Sequence, residues 1–115
     1  MAKYRMITLT NPVEGKDDAY NDWYQNTHLA EVVRAKGMVS AQRYRVKQAL
    51  LASKSWPYLC VYDIETDDID GVLAGLRGGK LTMTDAMDFA NAYTVIFEEF
   101  GDPVTHEQAV AKLGE

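Results

Sequence analysis

At 115 residues the chain has the length of one domain, since domains usually run to roughly 100–200 residues. Twelve basic residues against 17 acidic ones give a net charge of -5 without a basic stripe, which argues against nucleic acid as a partner. No stretch approaches the ~20 apolar residues that cross a bilayer, and the N-terminus lacks the apolar core of a signal peptide. The single cysteine, Cys60, fits a buried, unpaired thiol. We therefore expect a cytoplasmic protein with neither a membrane nor a nucleic-acid partner.

The first half of the chain predicts a strand, a helix and a second strand. Residues 3–10 are rich in β-branched and aromatic residues and stop at Asn11-Pro12, as a strand ended by a turn does. Between Glu14 and Lys36 acidic residues come first and a basic last turn comes last, before Gly37, which is typical of a helix. Residues 38–46 alternate between two faces of a strand. The residues on one of these faces are Met38, Ser40, Gln42, Tyr44 and Val46.

The second half predicts another strand, a helix, a fourth strand and a short terminal helix. Asp67, with Asp70 three residues later, provides a capping frame for the helix, and Gly78-Gly79 ends it. Residues 47–56 have no clear period and read as a connection, with a helical turn left open, and residues 80–91 predict no element. The predicted strands are 58–65 and 92–100, and the terminal helix is 105–113 with Thr105 as its cap.

The order of these elements is β-α-β-β-α-β plus a tail, which is the ferredoxin-like α+β plan. In this plan an antiparallel sheet carries both helices on one face. We assign residues 1–104 to a single domain and residues 105–115 to a C-terminal tail. The other sheet face would expose large apolar residues, which monomers avoid, so we expect two copies to stack sheet to sheet as a homodimeric α+β barrel.

Several motifs resemble the EthD-like members of the dimeric α+β barrel superfamily, across about residues 3–101. The strongest part combines Asn21-Asp22-Trp23-Tyr24, His28 four residues after Tyr24, and Arg43-Tyr44. Relatives have a helix-breaking proline after the histidine-leucine pair where this chain has Ala30, so we expect the helix to continue smoothly through His28. The other matching segments are Asn11-Pro12, Glu14-Gly15, Leu29, Gly37, Ser40-Ala41-Gln42, Tyr58 to Asp68, and Phe97-Glu98-Glu99-Phe100-Gly101.

The resemblance implies a fold more than a reaction. The superfamily includes cofactor-independent monooxygenases, polyketide cyclases, muconolactone isomerases, haem-binding members and proteins without known activity, so function must be argued from the site. We predict no metal, because two distant histidines and one cysteine have no known ligand spacing. We also predict no cofactor, and haem at His28 or at the tail residue His106 is the alternative that the resemblance leaves.

His28 is the candidate proton carrier, because an imidazole titrates near neutral pH. It shares a helix face with Tyr20 and Tyr24 at four-residue steps. The resemblance implies that His28 acts as the acid or base while Tyr24 or Tyr44 orients an aromatic or polyketide-like substrate. The structural alternative is a histidine that closes the helix by bonding to a backbone carbonyl or a strand residue.

Other candidate residues also have two interpretations. Tyr20, Trp23 and Tyr24 fit either an aromatic pocket wall or the core face of the helix. Arg43 fits either a substrate carboxylate, which a guanidinium matches with two parallel bonds, or a pairing with an acid such as Glu31 or Glu98. The tyrosines that fit either the barrel interior or a dimer interface are Tyr58, Tyr62 and Tyr93.

Two functions are consistent with these residues. The first is a homodimer that binds a small aromatic or cyclic apolar compound and uses His28 for proton transfer as a cofactor-independent cyclase, isomerase or monooxygenase. The second is a non-catalytic ligand-binding or accessory dimer of a catabolic pathway. In the first, the substrate would contact Tyr20, Trp23, Arg43, Tyr44 and Tyr62.

Overall fold

A computed structural model describes residues 1–52 and 56–115. Its four strands form one antiparallel sheet in the order β2-β3-β1-β4. This is the ferredoxin-like order, in which the first and third strands lie in the centre, so the predicted α+β fold class is confirmed. The strands are β1 (Ala2–Thr10), β2 (Met38–Arg45), β3 (Tyr58–Thr66) and β4 (Tyr93–Glu98).

The first helical region consists of three consecutive segments. α1 (Asp17–Trp23) runs into a π-helical turn (Tyr24–His28), which runs into α2 (Leu29–Val33). Acidic residues in the first turn of α1 complement the positive end of the helix. The expectation of a smooth helix through His28 is therefore wrong: the helix does continue, but its His28-bearing turn is widened. Gly37, at φ +96°, then turns the chain toward β2, a conformation that favours glycine.

The remaining helical segments are α3 (Ile69–Gly78), a 3-10 turn (Phe89–Asn91) and α4 (His106–Leu113). Asp68 caps α3, because its carboxylate accepts a bond of 3.0 Å from the backbone N–H of Gly71. The expected capping frame at Asp67 was thus one residue too early. α4 begins after Thr105, which is the expected cap, and it buries no side chain. The structure adds that Thr105 forms a capping box with Gln108.

The alternation of β2 has one irregularity. Met38 pairs with Ile64 and Ser40 with Asp63, so the ladder has a β-bulge between them. Met38 consequently packs against the buried core, whereas Ser40 hydrogen-bonds Asp63 on the opposite face. The prediction that these two residues share a face is wrong. After β2, residues 47–52 contain no helical turn, and the part of that predicted connection at 53–55 lies outside the described residues.

The core lies between the helices and one face of the sheet. Met6, Thr8 and Thr10 of β1 alternate with half-exposed neighbours and are buried under α1 and the π-helical turn. β3 repeats the pattern, with Cys60, Tyr62 and Ile64 buried. We call this the covered face, and we call the opposite side of the sheet the open face. In the described part of the chain, no helix is long and apolar enough to cross a membrane.

Candidate functional site

Tyr24 is the centre of a buried chain of hydroxyl groups on the covered face. Its phenol oxygen lies 2.8 Å from Oγ1 of Thr8 and 3.2 Å from the hydroxyl of Tyr62. Tyr20, one turn earlier, forms the same kind of bond with Thr10. The helix tyrosines and the inward threonines of β1 are therefore hydrogen-bond partners of one another. Burial raises the pKa of Tyr24 to about 12, so its phenol keeps its proton at neutral pH.

His28 packs against two aromatic rings of the same helical region. Its imidazole stacks on Trp23, with 4.5 Å between ring centroids and 21° between planes, and it meets the edge of Tyr24 at 5.0 Å. Its Nδ1 atom is buried and has no hydrogen-bond partner among the described residues. The predicted structural bond to a carbonyl or strand residue is therefore not made by Nδ1. Burial lowers the pKa of His28, and the nearby Glu31 carboxylate opposes part of this effect.

The π-helical turn places these two side chains. Its closing bond runs from the backbone N–H of Leu29 to the carbonyl of Tyr24, five residues earlier. Single π-helical turns inside α-helices occur often at functional sites, because the extra residue redirects the side chains that follow. Here the turn contains both Tyr24 and His28, which is the local feature that most clearly separates this segment from an ordinary core helix.

A segment that had no predicted structure crosses over the helix beside His28. This segment, residues 80–88, is called the strap. Both carboxylate oxygens of Glu31 accept bonds from the backbone N–H of Thr82, at 2.9 and 3.1 Å, and one of them accepts a third bond of 2.7 Å from the Thr82 hydroxyl. The indole N–H of Trp23 donates to the carbonyl oxygen of Thr82 at 3.0 Å. The strap is thus fixed to Trp23, which stacks on His28, and to Glu31, whose carboxylate acts on the pKa of His28.

The other end of the strap is fixed to the start of the helical region. Ala86 is fully buried, and its carbonyl accepts a bond from the backbone N–H of Val13. Lys16 and Asp85 form an ion pair of 3.0 Å. Sequence reasoning missed Glu31 and Thr82 as partners because 51 residues separate them and the strap has no periodic pattern.

Arg43 lies on β2 in contact with the same tyrosines. Its Cζ atom is 4.8 Å from the ring centroid of Tyr24, and an Nη2 hydrogen bond of 2.6 Å reaches Oδ1 of Asn21. The predicted pairing with an acid is wrong for both candidates. Glu31 bonds Thr82 instead, and Glu98 lies on β4, at the opposite edge of the sheet from β2.

The structure brings six of the seven predicted site residues together and separates the seventh, Tyr44. One connected group on the covered face consists of His28, Tyr24, Trp23, Tyr20, Tyr62 and Arg43. Tyr44 pairs with Leu59 and is 53% exposed, on the face opposite Arg43. Tyr93 packs against Trp56 rather than against the group. Within the group, Tyr20, Trp23, Tyr24 and Tyr62 also belong to the hydrophobic core, so they serve as packing whatever else they do.

A large groove in the surface lies away from this group. It is a groove of about 590 Å³ between the open face and the segment that follows β4. Its walls include Arg5, Asp63, Phe97 and Phe100, and His28 is not among them. Among residues 1–52 and 56–115, no three His, Cys, Asp or Glu side chains form a group that could hold a metal ion.

The architecture resembles that of a known protein. The crystal structure of an ethyl tert-butyl ether D (EthD) family protein from Bacillus halodurans C-125 superposes with a TM-score of 0.60, at 16% sequence identity, over 85% of this chain and 99% of that chain. The chain has an EthD-like fold. No family model matches the sequence, and no curated protein matches it as a relative. The EthD-like fold leaves the activity to be inferred from the side chains described above.

Proposed function

We propose that this protein binds a small aromatic or cyclic apolar compound beside His28, and that His28 transfers a proton to or from it. The observation that carries the proposal is the buried Nδ1 atom of His28, which lacks a hydrogen-bond partner in the described part of the chain. A buried polar atom without a partner costs free energy, so such atoms are rare unless a ligand, water or reaction uses them. The reaction class is that of a cofactor-independent cyclase, isomerase or monooxygenase.

The protonation states of the two central groups suit this role. Because burial lowers the pKa of His28 below its ordinary 6.5, the imidazole is mainly neutral at pH 7 and can accept a proton. Because the pKa of Tyr24 is raised, its phenol stays protonated and keeps its hydrogen bonds to Thr8 and Tyr62, which hold its ring beside His28. The rings of Trp23 and Tyr24 pack on the His28 imidazole and make its surroundings aromatic, which supports an aromatic or cyclic compound as the ligand.

The experiment is a thermal-shift screen of phenols and lactones against the wild type, His28→Gln and the control His106→Gln. His106 is exposed at the start of α4, so its exchange makes the same chemical change away from the site. We expect at least one compound to stabilise the wild type and His106→Gln but not His28→Gln. A ligand that stabilises all three proteins equally would remove His28 from the proposal, and a panel without any shift would remove the ligand site.

We further propose that the working form is a homodimer joined through the open face. Ile7, Leu9 and Val61 alternate with the buried residues of β1 and β3 and remain only partly covered in the single chain. Phe97 on β4 is 48% exposed and Phe100 is 99% exposed. Contiguous apolar side chains of this kind are typical of association surfaces, and a two-fold contact lets one surface cover itself.

Light scattering at micromolar concentration tests the dimer. We expect twice the monomer mass for the wild type and the monomer mass for Val61→Asp, which places a charge in the middle of the open face. The control is Met83→Asp, because Met83 is 70% exposed on the strap, on the helix side of the molecule. A monomeric wild type, or a Val61→Asp protein that stays dimeric, would contradict this interface.

The second candidate function is a non-catalytic ligand-binding or accessory dimer of a catabolic pathway. It is favoured by the position of the 590 Å³ groove, which lies at the open face and away from His28. A ligand that binds with unchanged strength to His28→Gln would support this candidate. A cytoplasmic location is part of both proposals, supported by the lone, buried Cys60, whose environment suits a reduced thiol.

A further inference from the structure

Arg43 is the most unusual charged residue of the covered face. It extends from the edge strand β2 and is half-buried beneath α1. Its Cζ atom lies 4.8, 5.6 and 5.7 Å from the ring centroids of Tyr24, Tyr58 and Tyr20, respectively. Three aromatic rings therefore surround one guanidinium group at distances at which a cation interacts with a ring.

The charge of Arg43 has no acidic partner among the residues that the structure describes. The described residues form three ion pairs, which are Lys3–Glu65, Arg5–Asp63 and Lys16–Asp85, and none of them includes Arg43. Arg43 lacks an ion pair there although the chain has 17 acidic residues and only 12 basic ones. Placing a cation in a partly buried position without an anion is unfavourable, and three neutral rings offset only part of that cost.

The guanidinium also has free hydrogen-bonding capacity. An arginine side chain carries five N–H donors. Arg43 donates from Nη2 to Oδ1 of Asn21 and also makes a side-chain hydrogen bond with Tyr20, so these two partners do not use all of its donors. The amide nitrogen of Asn21 donates in turn to the hydroxyl of Tyr58 and to the carbonyl of Asp17, at 3.1 and 3.0 Å. Asn21 therefore fixes the orientation of Arg43 without neutralising its charge.

We propose that Arg43 is the anion-binding group of the ligand site, and that the ligand is an aromatic compound carrying a carboxylate or an ionised phenol. A carboxylate accepts two parallel bonds from a guanidinium, and its ring can pack on the half-buried Tyr58. This inference rests on the proposed function, because it names the class of compound that the site beside Tyr24 takes. Tyr24 connects the two halves of the site, since its ring contacts both Arg43 and His28.

The experiment compares benzoate with benzamide, which has the same ring and a neutral head group. Dissociation constants come from calorimetry or from chemical shifts in the millimolar range. We expect wild type to bind benzoate at least about tenfold more tightly than benzamide, because a charge-assisted two-pronged contact is much stronger than a neutral one. In Arg43→Gln the preference should disappear.

A second variant keeps Arg43 and supplies its charge with an internal partner. Asn21→Asp puts a carboxylate at the position that now accepts the Nη2 bond of 2.6 Å, so the guanidinium gains an internal anion. We expect this variant to remain folded and to lose the preference for benzoate. The control is Gln25→Glu, which adds the same charge at an exposed position of the adjoining turn and should leave the preference unchanged.

The outcomes separate this inference from the proposed function. If benzamide and benzoate bind equally and both depend on His28, the anion-binding role is wrong while the ligand site stands. If benzoate binding depends on Arg43 but is unchanged in His28→Gln, the anion-binding role stands and the role of His28 is wrong. Absence of benzoate binding, or a benzoate preference that survives in Arg43→Gln, overturns the inference.

Discussion

The two faces of the sheet differ in how their side chains are buried and paired. On the covered face, polar groups are buried and paired with each other, as the hydroxyls of Thr8, Tyr24 and Tyr62 are. On the open face, apolar residues such as Val61 stay partly exposed, and the charged pair Arg5–Asp63 lies at the sheet surface. Buried polar groups require defined partners, whereas an apolar surface requires only coverage. The covered face is therefore suited to chemistry and the open face to association.

The largest expected difference in unfolding free energy is between substitutions at Tyr62 and Val61. These residues are adjacent on β3, and their side chains point to opposite faces of the sheet. Tyr62→Ala removes a ring that is 1% exposed and a hydroxyl partner of Tyr24, so we expect a loss of about 3–5 kcal/mol in unfolding free energy. Val61→Ala, on the open face, should cost about 1 kcal/mol. Urea unfolding of both variants at one low protein concentration measures the difference. Equal losses would mean that the faces are not distinct.

A smaller effect is expected from removing one buried hydroxyl. Tyr24→Phe leaves Thr8 and Tyr62 without their shared partner, which should cost about 1–3 kcal/mol. The matched change on the open face is Tyr44→Phe. Because Tyr44 is 53% exposed, this substitution should lower the unfolding free energy by less than about 0.5 kcal/mol. The same unfolding assay distinguishes them, and a neutral Tyr24→Phe would argue against a stabilising hydroxyl chain.

A still smaller loss is expected at the charged end of the open face. Arg5 pairs with Asp63 at 2.9 Å, but both side chains are well exposed to solvent. Such pairs contribute roughly 0–1 kcal/mol because water and salt screen them. We expect Arg5→Gln to lower the unfolding free energy by no more than about 1 kcal/mol, with the difference shrinking further at high salt. A larger, salt-independent loss would show that this pair is structurally important.

The smallest expected effect is a change in how the unfolding free energy depends on pH. The folded state holds the pKa of His28 below 6.5, so below that pH the unfolded chain binds a proton more readily than the folded one. The contribution of neutral His28 is thus complete above pH 6.5 and declines as the pH falls through the lowered folded pKa. His28→Gln should lose less stability than wild type between neutral and mildly acidic pH. Parallel pH profiles would contradict a buried, neutral imidazole.

The sequence predicted the elements and the helix face far better than the contacts between distant segments. Strand alternation and helix termini depend on local residues, so all four strands and the shared face of Tyr20, Tyr24 and His28 could be predicted. The separation of Tyr44 from Arg43 also followed from alternation, because adjacent strand residues point to opposite faces. Grouping Tyr44 with the other site residues overlooked that rule.

The features that the sequence left unpredicted depend on tertiary contacts. The π-helical turn at Tyr24–His28 has no residue signature of its own. The strap is held by the bonds of Glu31 to Thr82, between segments far apart in the chain. The bulge in β2 appears only in the pairing with β3. Each of these features depends on contacts between distant segments, so the sequence predicted which candidate residues share a helix face but not how the neighbouring segments hold them.

The most direct test of the account is a nitrogen-15 NMR titration of His28, assigned with His28→Gln, with and without benzoate. We expect a neutral imidazole at pH 7, a pKa below 6.5, and a shift of its ring nitrogen signals when benzoate binds. Two results together would contradict the claim that His28 transfers the proton. They are a pKa of His28 at or above its ordinary value, and ring nitrogen signals that do not change when benzoate is added.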